Sequence, residues 1–334
     1  MRRTVSKLLV PLLGAGCALS PSLVLAQTPS TSAGQAFPAK TIRIIAPFPP
    51  ASVADVLARP IAQKMIETWG QPVIVDNRTG AAGNVGSELA AKSAPDGHTL
   101  LLGTIGTNAI NAVLYAKMPY NARTDFAPIT LVANAHLFLV MHPSVPVKTV
   151  KELIAFTKPR PNEILFSSSG SGSGQHLTME LLNRMGGIQL VHIPFKGTAA
   201  SITDLVSGRI SVSAASAIST LPHVRSGRLR ALAVCSAKRS PSAPDLPTIA
   251  EAAIPGFAVD QWYALFAPAG TPRDIVQKLY GEVVKVTSNP ESRTRLLAMG
   301  LDPVGSPPDE FAAYVKVETA KWGKLVREAG IRAN

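Results

Sequence analysis

The feature that most constrains the fold of this chain is a repeated alternation of short apolar strands with helices of apolar periodicity. A strand at 42–46 is followed, after a Pro-rich turn, by a helix from about 55 to 69. The same alternation restarts after an apolar segment at 137–141. This order predicts an α/β fold built on mostly parallel sheets. Two helices, capped by Thr271 and Ser306, are expected to finish the chain.

The most informative single stretch is a Ser/Gly segment at 167–174, which follows an apolar strand and precedes a helix. That helix carries Leu177, Leu181 and Met185 on one side. The start of a helix has unpaired N–H donors and a partial positive charge, and glycine lets a ligand approach the backbone closely. The order of strand, Ser/Gly segment and helix therefore predicts a binding site for a carboxylate or a phosphate. A flexible linker is the alternative interpretation, which the tight apolar flanks disfavour.

The first residues have the charged, apolar and small-residue order of a secretory signal. Three basic residues precede an apolar run at 8–19, and a small-residue stretch ends at Ala26. We predict a signal peptide over 1–26, cleaved near Ala26, and a tether over 27–38. The apolar run is too short and too broken by proline for a membrane anchor. Cys17 would mark a lipoprotein, but the residues before it do not fit that signal.

Charge and cysteine content narrow the classes of partner. The formal net charge is +12, and loss of the signal, with three basic residues and no acidic one, lowers it to +9. A positive balance suits a small anion, an anionic surface or nucleic acid. The sequence has no run of Lys/Arg with interleaved aromatic residues, so nucleic acid is disfavoured. Cys235 would be the single remaining cysteine, and its apolar neighbours predict a buried side chain.

Signatures of catalysis are missing from the sequence. The Gly-Ser-Gly-Ser-Gly stretch that ends at Gly174 looks like a nucleophile elbow, but Gly172 occupies the position of the nucleophilic serine. The stretch also fails the dinucleotide fingerprint, because Gln175 stands where a glycine is required. The six histidines show no metal-ligand spacing. We therefore predict no catalytic residue, no metal site and no cofactor, with an exported hydrolase as the least favoured alternative.

Four strand-to-helix loops share a composition of small polar residues that supply hydrogen-bond donors. They lie at 48–52, 104–108, 167–174 and 196–199. In open α/β sheets ligands bind outside the carboxyl ends of the strands, so these loops are expected to meet in one cleft. Their shortage of general acids and bases suits holding an anion without transforming it. Asp55 either caps a helix, which is favoured, or binds a ligand ammonium, and Lys196 either adds a charge or is solvated.

A set of ordered motifs extends through the chain from about 37 to 331. The motifs are Pro47-Phe48-Pro49-Pro50 with Asp55, the stretches at 70–78, 95–100 and 118–120, His192-Ile193-Pro194-Phe195-Lys196-Gly197, and the stretches at 229–234, 247–248 and 267–272. Together they resemble the periplasmic substrate-binding proteins of tripartite tricarboxylate transporters, the Bug or TctC family. The resemblance covers nearly the whole chain beyond the expected signal.

The resemblance implies a two-domain periplasmic-binding-protein fold of the Venus-flytrap, type II-like kind, with a ligand cleft between domains that close by hinge motion. Domain 1 is expected to comprise 39–139 plus 262–334, and domain 2 to comprise 140–261. The implied function is that of a periplasmic, monomeric receptor that delivers a small carboxylate to the permease subunits of its transporter. A receptor that docks on a sensor kinase is the alternative.

The resemblance also implies which residues contact the ligand. One carboxylate is expected at the hydroxyls and amides of Ser167, Ser169, Gly170, Ser171, Thr198 and Ala199. The first loop is expected to reach the other end of the ligand through ordered water, by way of Phe48, Pro50, Ser52 and Asp55. The third group, expected to line the cleft, is Gly106, Thr107 and Asn108.

The chain departs from the family pattern in two places. Ala51 and Ser52 stand where relatives typically have two glycines, which narrows the backbone geometry open to the first loop. Ala214 and Ala215 stand where many relatives have Phe-Asp. Loss of the acidic group at Ala215 is expected to enlarge and neutralise one wall of the cleft. These changes predict a ligand that is bulkier, or that lacks an ammonium group on that side.

Overall fold

The computed structural model describes residues 37–328 and residue 330. The predicted signal peptide, Cys17 and most of the predicted tether therefore lie outside the described residues. In the described range, no helix combines the length and the apolar character needed to cross a membrane. Strands and helices alternate along this range, as predicted, and the strands form two β-sheets.

The first sheet gathers strands from both ends of the described chain. Its strands are β1 (Ile42–Ala46), β2 (Val73–Asn77), β3 (Thr99–Thr104), β4 (Phe126–Ala135), β10 (Gln261–Pro268) and β11 (Leu301–Pro303). Their spatial order is β11-β4-β10-β3-β1-β2. β1 runs parallel to β2 and β3, whereas β10 runs antiparallel to β3 and β4, and β11 antiparallel to β4. The sheet is therefore mixed.

The second sheet comes from the middle of the chain. Its strands are β5 (Leu137–Met141), β6 (Leu165–Ser168), β7 (Val191–Pro194), β8 (Val212–Ser216) and β9 (Arg230–Val234), in the order β7-β6-β8-β5-β9. β6 is parallel to β7 and β8, while β5 is antiparallel to β8 and β9. The prediction of mostly parallel sheets is thus wrong. In each sheet an antiparallel strand, β10 or β5, arrives from the other sheet, so no crossover helix sets its direction.

Eleven α-helices join these strands within the described residues. They are α1 (Val53–Trp69), α2 (Asn84–Ala91), α3 (Asn111–Leu114), α4 (Val150–Thr157), α5 (Gly174–Gly186), α6 (Thr198–Val206), α7 (Ala217–Arg225), α8 (Ile249–Ala252), α9 (Arg273–Ser288), α10 (Pro290–Ala298) and α11 (Pro308–Glu328). A 3₁₀ turn (Ala81–Gly83) precedes α2, and a π-helical turn (Gly106–Ile110) precedes α3.

The C-terminal region corrects the sequence-based expectation. α10 and β11 lie between α9 and α11, so the prediction of two final helices is wrong. The N-cap of α9 is Pro272, so Thr271 does not cap this helix as expected. The Thr271 hydroxyl instead donates to the Pro268 carbonyl at 2.8 Å. The Ser306 hydroxyl accepts from the Leu131 N–H of β4 at 3.3 Å. Both hydroxyls therefore fasten loops to the first sheet.

Apolar packing holds the helices to the sheets and also connects the two sheets. α6 and α7 pack on one face of the second sheet, where Ile202 shares a buried cluster with Phe138 of β5. A larger cluster contains both Phe166 of β6 and Trp262 of β10, so packing is continuous from one sheet to the other. Cys235 belongs to this cluster and is fully buried, as predicted. Burial raises the pKa of the Cys235 thiol, which makes it a poor nucleophile.

Candidate ligand-binding cleft

A cleft of about 970 Å³ is lined by loops that follow strands of both sheets. The loops after β1 and β3 contribute Phe48 and Gly106 from the first sheet. The loops after β6 and β7 contribute Ser169 and Thr198 from the second. The four loops that the sequence singled out therefore lie around one cleft, at the carboxyl ends of parallel strands.

The N-cap residues of four helices line this cleft. They are Ser52 of α1, Ser173 of α5, Gly197 of α6 and Ser216 of α7. The hydroxyls of Ser52 and Ser173 accept from backbone N–H groups of their own helices. In the described structure α6 and α7 have no side-chain cap. The Ala217 N–H of α7 donates to the His136 carbonyl at 3.0 Å, so the N–H groups left for a ligand are those at the start of α6 and those that follow Ala217 in α7.

Side-chain charge around the cleft is sparse and positive. The described residues that line it include no Asp, Glu or Lys, while His223 and Arg228 supply basic groups. Each helix N-terminus adds the equivalent of about half a positive charge. A carboxylate that enters the cleft therefore meets partial positive charges and donors, with no acidic side chain to repel it.

The residues predicted to contact the ligand fall into two groups. Those that line the cleft are Phe48, Pro50, Ser52, Gly106, Ser169, Thr198 and Ala199. Those that do not are Asp55, Thr107, Asn108, Ser167, Gly170, Ser171 and Ala215. Contact with a bound ligand stays a prediction for both groups.

The Asp55 carboxylate makes its hydrogen bonds within the loop before α1 and the first turns of that helix. Its side chain is 3% exposed, accepts from the Ala51 N–H at 3.0 Å, and pairs with Arg59 at 2.8 Å. Burial by itself would raise the pKa of Asp55, but hydrogen bonds from Arg59 and Ala51 hold that pKa below its ordinary value. The N-cap itself is Ser52, so the expectation of an N-cap at Asp55 is wrong by three positions. A carboxylate with these partners is not free to bind a ligand ammonium.

Several predicted residues support the loops from behind the cleft wall. Thr107 accepts from the Thr104 N–H at 2.9 Å and donates to Asn108 Oδ1 at 2.6 Å. The Ser167 hydroxyl accepts from the Ser201 hydroxyl at 2.7 Å. Thr107, Asn108 and Ser167 are fully buried. Their hydroxyl and amide groups therefore hold the shape of the loops whose neighbouring residues face the cleft.

The two departures from the family pattern have different structural outcomes. Ala51 has a φ of +62°, the left-handed conformation that glycine adopts most easily. The first loop thus keeps a glycine-like backbone at some cost in strain, with its N–H held by Asp55. Ala215 is fully buried in β8 and pairs with Phe138, so it lies behind the wall that it was expected to enlarge. Its neighbour Ser216 lines the cleft instead.

Comparison with known proteins identifies the family. The model of the tripartite tricarboxylate transporter family receptor, TctC, matches residues 57–331. The chain belongs to this family. The protein BugT of Bordetella pertussis is 36% identical over 297 residues, which cover 89% of this chain and 91% of BugT. The family resemblance inferred from the motifs is therefore confirmed.

Solved structures of family members confirm the fold. Rpa4515 of R. palustris, solved with adipate, is 35% identical with a TM-score of 0.81, and the match covers 89% of this chain and 99% of that one. MatC from Rhodopseudomonas palustris, with bound malate, is 32% identical with a TM-score of 0.76, covering 87% of this chain and 100% of MatC. The expected periplasmic-binding-protein fold is thus confirmed for this TctC-family chain.

Sequence reasoning missed two amides that face the cleft of this family member. Gln175, which is 7% exposed, donates to the Thr198 hydroxyl at 3.2 Å, while its Oε1 has no partner among the described residues. Gln261 of β10 also lines the cleft, and its Nε2 is buried without a partner in the same range. Neither residue belongs to a recognisable motif. Unpaired buried amide groups are costly, so both atoms are candidates to bind a ligand or water.

Two stacked histidines fix the conformation of the Ser/Gly loop. The rings of His176 and His192 lie with centroids 3.7 Å apart and an interplanar angle of 11°. His176 Nδ1 accepts from the Gly172 N–H at 3.0 Å, and His192 Nε2 lies 2.7 Å from the Ser168 hydroxyl. The same hydroxyl accepts from the Gly170 N–H at 3.1 Å. The loop geometry therefore requires an unprotonated Nδ1 on His176.

We expect the stability of the folded protein to fall between pH 7 and pH 5, in part because of His192. Burial, and to a smaller extent the charge of His176, lowers the pKa of His192 to about 4, against the opposing effect of Glu180. Below about pH 6.5 the unfolded chain takes up a proton that the folded His192 does not, so folding loses free energy as the pH falls towards 4. For a half-buried group this amounts to about 1–2 kcal/mol at pH 5.

Urea unfolding at the two pH values measures this loss. His192→Gln should reduce the difference in unfolding free energy between pH 7 and pH 5, because the titrating ring is gone. His142→Gln, at a histidine outside the stack that contacts Ser144, is the matched control and should leave the difference unchanged. An unaltered pH dependence in His192→Gln would contradict the assignment.

Proposed function

We propose that this chain is a solute receptor that closes on a small carboxylate and delivers it to the membrane subunits of a tripartite tricarboxylate transporter. The observation that carries the proposal is the meeting of four helix N-caps, at Ser52, Ser173, Gly197 and Ser216, on one cleft that lacks acidic side chains in the described lining. The N–H groups at the start of α6, which has no side-chain cap, suit a carboxylate, and each charge-assisted hydrogen bond contributes about 1.5–3 kcal/mol.

The ligand is held by two walls. Ser169, Thr198 and Ala199 form the wall from the second sheet, where the carboxylate sits at the start of α6. Phe48, Pro50, Ser52 and Gly106 form the opposite wall, from the first sheet, which faces the bound carboxylate. The adipate and malate found with two relatives support a carboxylate over a phosphate.

The two sheets are the cores of two domains close to those expected, 39–139 plus 262–334 and 140–261. The boundaries shift to His136 and to the residue before Gln261, because Leu137 already pairs in the second sheet and Gln261 in the first. The chain passes between the sheets at His136, between β4 and β5, and again between β9 and β10. Two crossings are what a hinge between two domains needs. The Gln261 amide already lies against Gly174, the neighbour of Gln175. Since the family is one of transporter receptors, we propose that the ligand leaves unchanged and that the chain is not an enzyme.

Membership of the family supports the proposed location and partners. The chain is exported by the signal at 1–26 and acts in the periplasm as a monomer, since the receptor face must dock on permease subunits. Co-purification with those subunits in the presence of ligand is the expected result. Capture of a sensor-kinase ectodomain in place of the permease would contradict the transport role.

A thermal-shift screen of residues 27–334 tests ligand binding. Dicarboxylates, tricarboxylates, aromatic and nicotinic acids, and acidic amino acids form the panel. A ligand at about 100 times its dissociation constant adds about 2.7 kcal/mol, which raises Tm by about 4 °C for a chain of about 300 residues. We expect one class of carboxylate to give this shift and neutral analogues of the same shape to give none. A folded, ligand-free protein that no carboxylate stabilises would contradict the proposed function.

A further inference from the structure

The cleft does not end at the four helix N-termini. Five residues of α6 line the cleft at positions i, i+1, i+4, i+5 and i+8, a spacing that places them on one face of the helix. They are Thr198, Ala199, Ile202, Thr203 and Val206. They extend over the whole of α6, from its first residue to its last. Eight helical steps span about 12 Å, so the cavity continues along the helix well beyond the carboxylate seat.

α7 lines the same extension. It contributes Ile218, Ser219 and His223, and Arg228 follows just after its end. α6 connects β7 to β8 and α7 connects β8 to β9, and these three strands run in the same direction with one other strand between each pair. Both helices pack on the same face of the second sheet, so they run in the same direction side by side. Together they form the walls of an α6–α7 groove, which we define by Ile202, Val206, Ile218, His223 and Arg228.

The chemistry of the groove changes along its length. Near the helix starts it offers N–H donors, and along its walls it offers the apolar side chains of Ile202, Val206 and Ile218. At its end His223 Nδ1 is buried without a hydrogen-bond partner in the described structure. Arg228 donates to the Ser226 hydroxyl at 3.3 Å and pairs with no carboxylate of the described chain.

A basic end without an acidic partner points to an anionic ligand group. The Arg228 guanidinium presents donors in a planar fork that matches a carboxylate. Its charge also acts on His223: burial first, and the Arg228 charge second, lower the pKa of His223. A neutral His223 can give or accept one hydrogen bond beside that carboxylate. The apolar walls between the two ends suit a hydrocarbon or aromatic body.

We propose, on the basis of the receptor function above, that the ligand is an elongated diacid whose second carboxylate pairs with Arg228 beside His223. The first carboxylate occupies the helix N-termini, and the body of the molecule lies against Ile202, Val206 and Ile218. Short diacids cannot satisfy both ends at once. The groove therefore selects for length as well as for charge.

Binding titrations with a series of straight-chain acids test this assignment. The probes are succinate, adipate, suberate and sebacate, with hexanoate and octanoate as acids that carry a single carboxylate. We expect affinity for wild-type protein to rise at least tenfold from succinate to the best longer diacid. Arg228→Gln should lower affinity for that diacid by about ten- to a hundredfold, because a charge-assisted pair is lost, and should leave the monoacids within twofold.

Two further variants keep the result interpretable. Arg225→Gln removes the same charge from an exposed arginine in the last turn of α7 that does not line the groove, so all affinities should stay within twofold. Val206→Trp, at the last residue of α6, fills the part of the groove far from the helix starts and should weaken the longer diacids while sparing succinate.

The possible outcomes separate the two proposals. If succinate binds as tightly as the longer diacids and Arg228→Gln changes nothing, the elongated-diacid assignment is overturned while the receptor function stands. If Arg225→Gln and Arg228→Gln have equal effects, the pairing is overturned because only net charge matters. If no carboxylate of any length binds to folded, ligand-free protein, both the assignment and the receptor function fall.

Discussion

Replacing Ala199 by Asp is expected to weaken carboxylate binding about a thousandfold without destabilising the fold. Ala199 is an exposed residue in the first turn of α6 and lines the cleft. A new carboxylate there takes the place of the ligand at the helix start and repels it. Two unit charges about 4 Å apart at the surface of a protein interact by about 4 kcal/mol, which corresponds to roughly three powers of ten in affinity.

The same substitution should leave stability unchanged or slightly raised. A negative side chain in the first turn of a helix stabilises it by about 0.3–1 kcal/mol, and α6 has no side-chain cap to compete with. Lost binding combined with retained or increased stability therefore distinguishes a filled anion seat from misfolding. Calorimetric titration with the acid that gives the largest thermal shift, together with urea unfolding, measures both quantities.

Ala199→Asn is the matched control, since it has nearly the same shape and no charge. We expect it to weaken binding by less than about fivefold, because only steric effects and one polar group differ. Equal losses in the Asp and Asn variants would mean that shape, not charge, governs the site. Binding by Ala199→Asp at wild-type strength would mean that the ligand anion lies away from the start of α6.

Where local signals were strong, the sequence predicted the elements of the fold well. β1 and β5 were identified as runs of apolar residues, and Gly70 was identified as the end of α1, where it has a φ of +65°. β4 was not predicted from the sequence, because Pro128 and Asn134 interrupt its apolar pattern. Its partner β10 also lies more than a hundred residues away along the chain. Tertiary pairing of that kind leaves no local signal.

The candidate site shows a similar limit. Composition identified the four loops, because small polar residues between a strand and a helix have few other uses. Composition did not tell which loop residues face the cleft. The family resemblance named buried Thr107 and Ser167 beside Ser169, and Gln175 and Gln261 were missed. Which side chain faces inward depends on backbone angles and on contacts between the sheets. Neither is encoded in a short window of sequence.

Replacing Gly172 by Ala is expected to destabilise the protein by about 2–5 kcal/mol and to weaken carboxylate binding at least tenfold. Gly172 lines the cleft with a φ of +76°, and its N–H donates to His176. A Cβ at this position would overlap the Leu114 Cδ2 atom of α3, whose side chain is only 2% exposed and has little room to move. The left-handed conformation costs about 1–2 kcal/mol for alanine, and overpacking a buried contact costs a further 1–3, roughly.

The contact matters for function because it joins the two sheets. Gly172 belongs to the loop after β6 of the second sheet, while α3 follows β3 of the first. An obstacle between them separates the walls that hold the ligand and displaces the loop from its histidine support. Gly227→Ala is the control, since Gly227 has a φ of +72° but no atom within 4 Å of the added carbon. It should cost about 1–2 kcal/mol of stability and leave binding unchanged.

A second variant separates backbone strain from overlap at the same position. Gly172→Ala combined with Leu114→Ala removes the obstructing methyl group, so binding should recover relative to Gly172→Ala alone. Stability should not recover, because truncating a buried leucine costs about 2–5 kcal/mol. Measured by titration and urea unfolding, the two changes should be non-additive in binding by about 0.5–3 kcal/mol, as expected for residues in contact. Additive effects on binding, or losses in Gly227→Ala equal to those in Gly172→Ala, would show that strain alone is responsible and that the inter-sheet contact does not control the cleft.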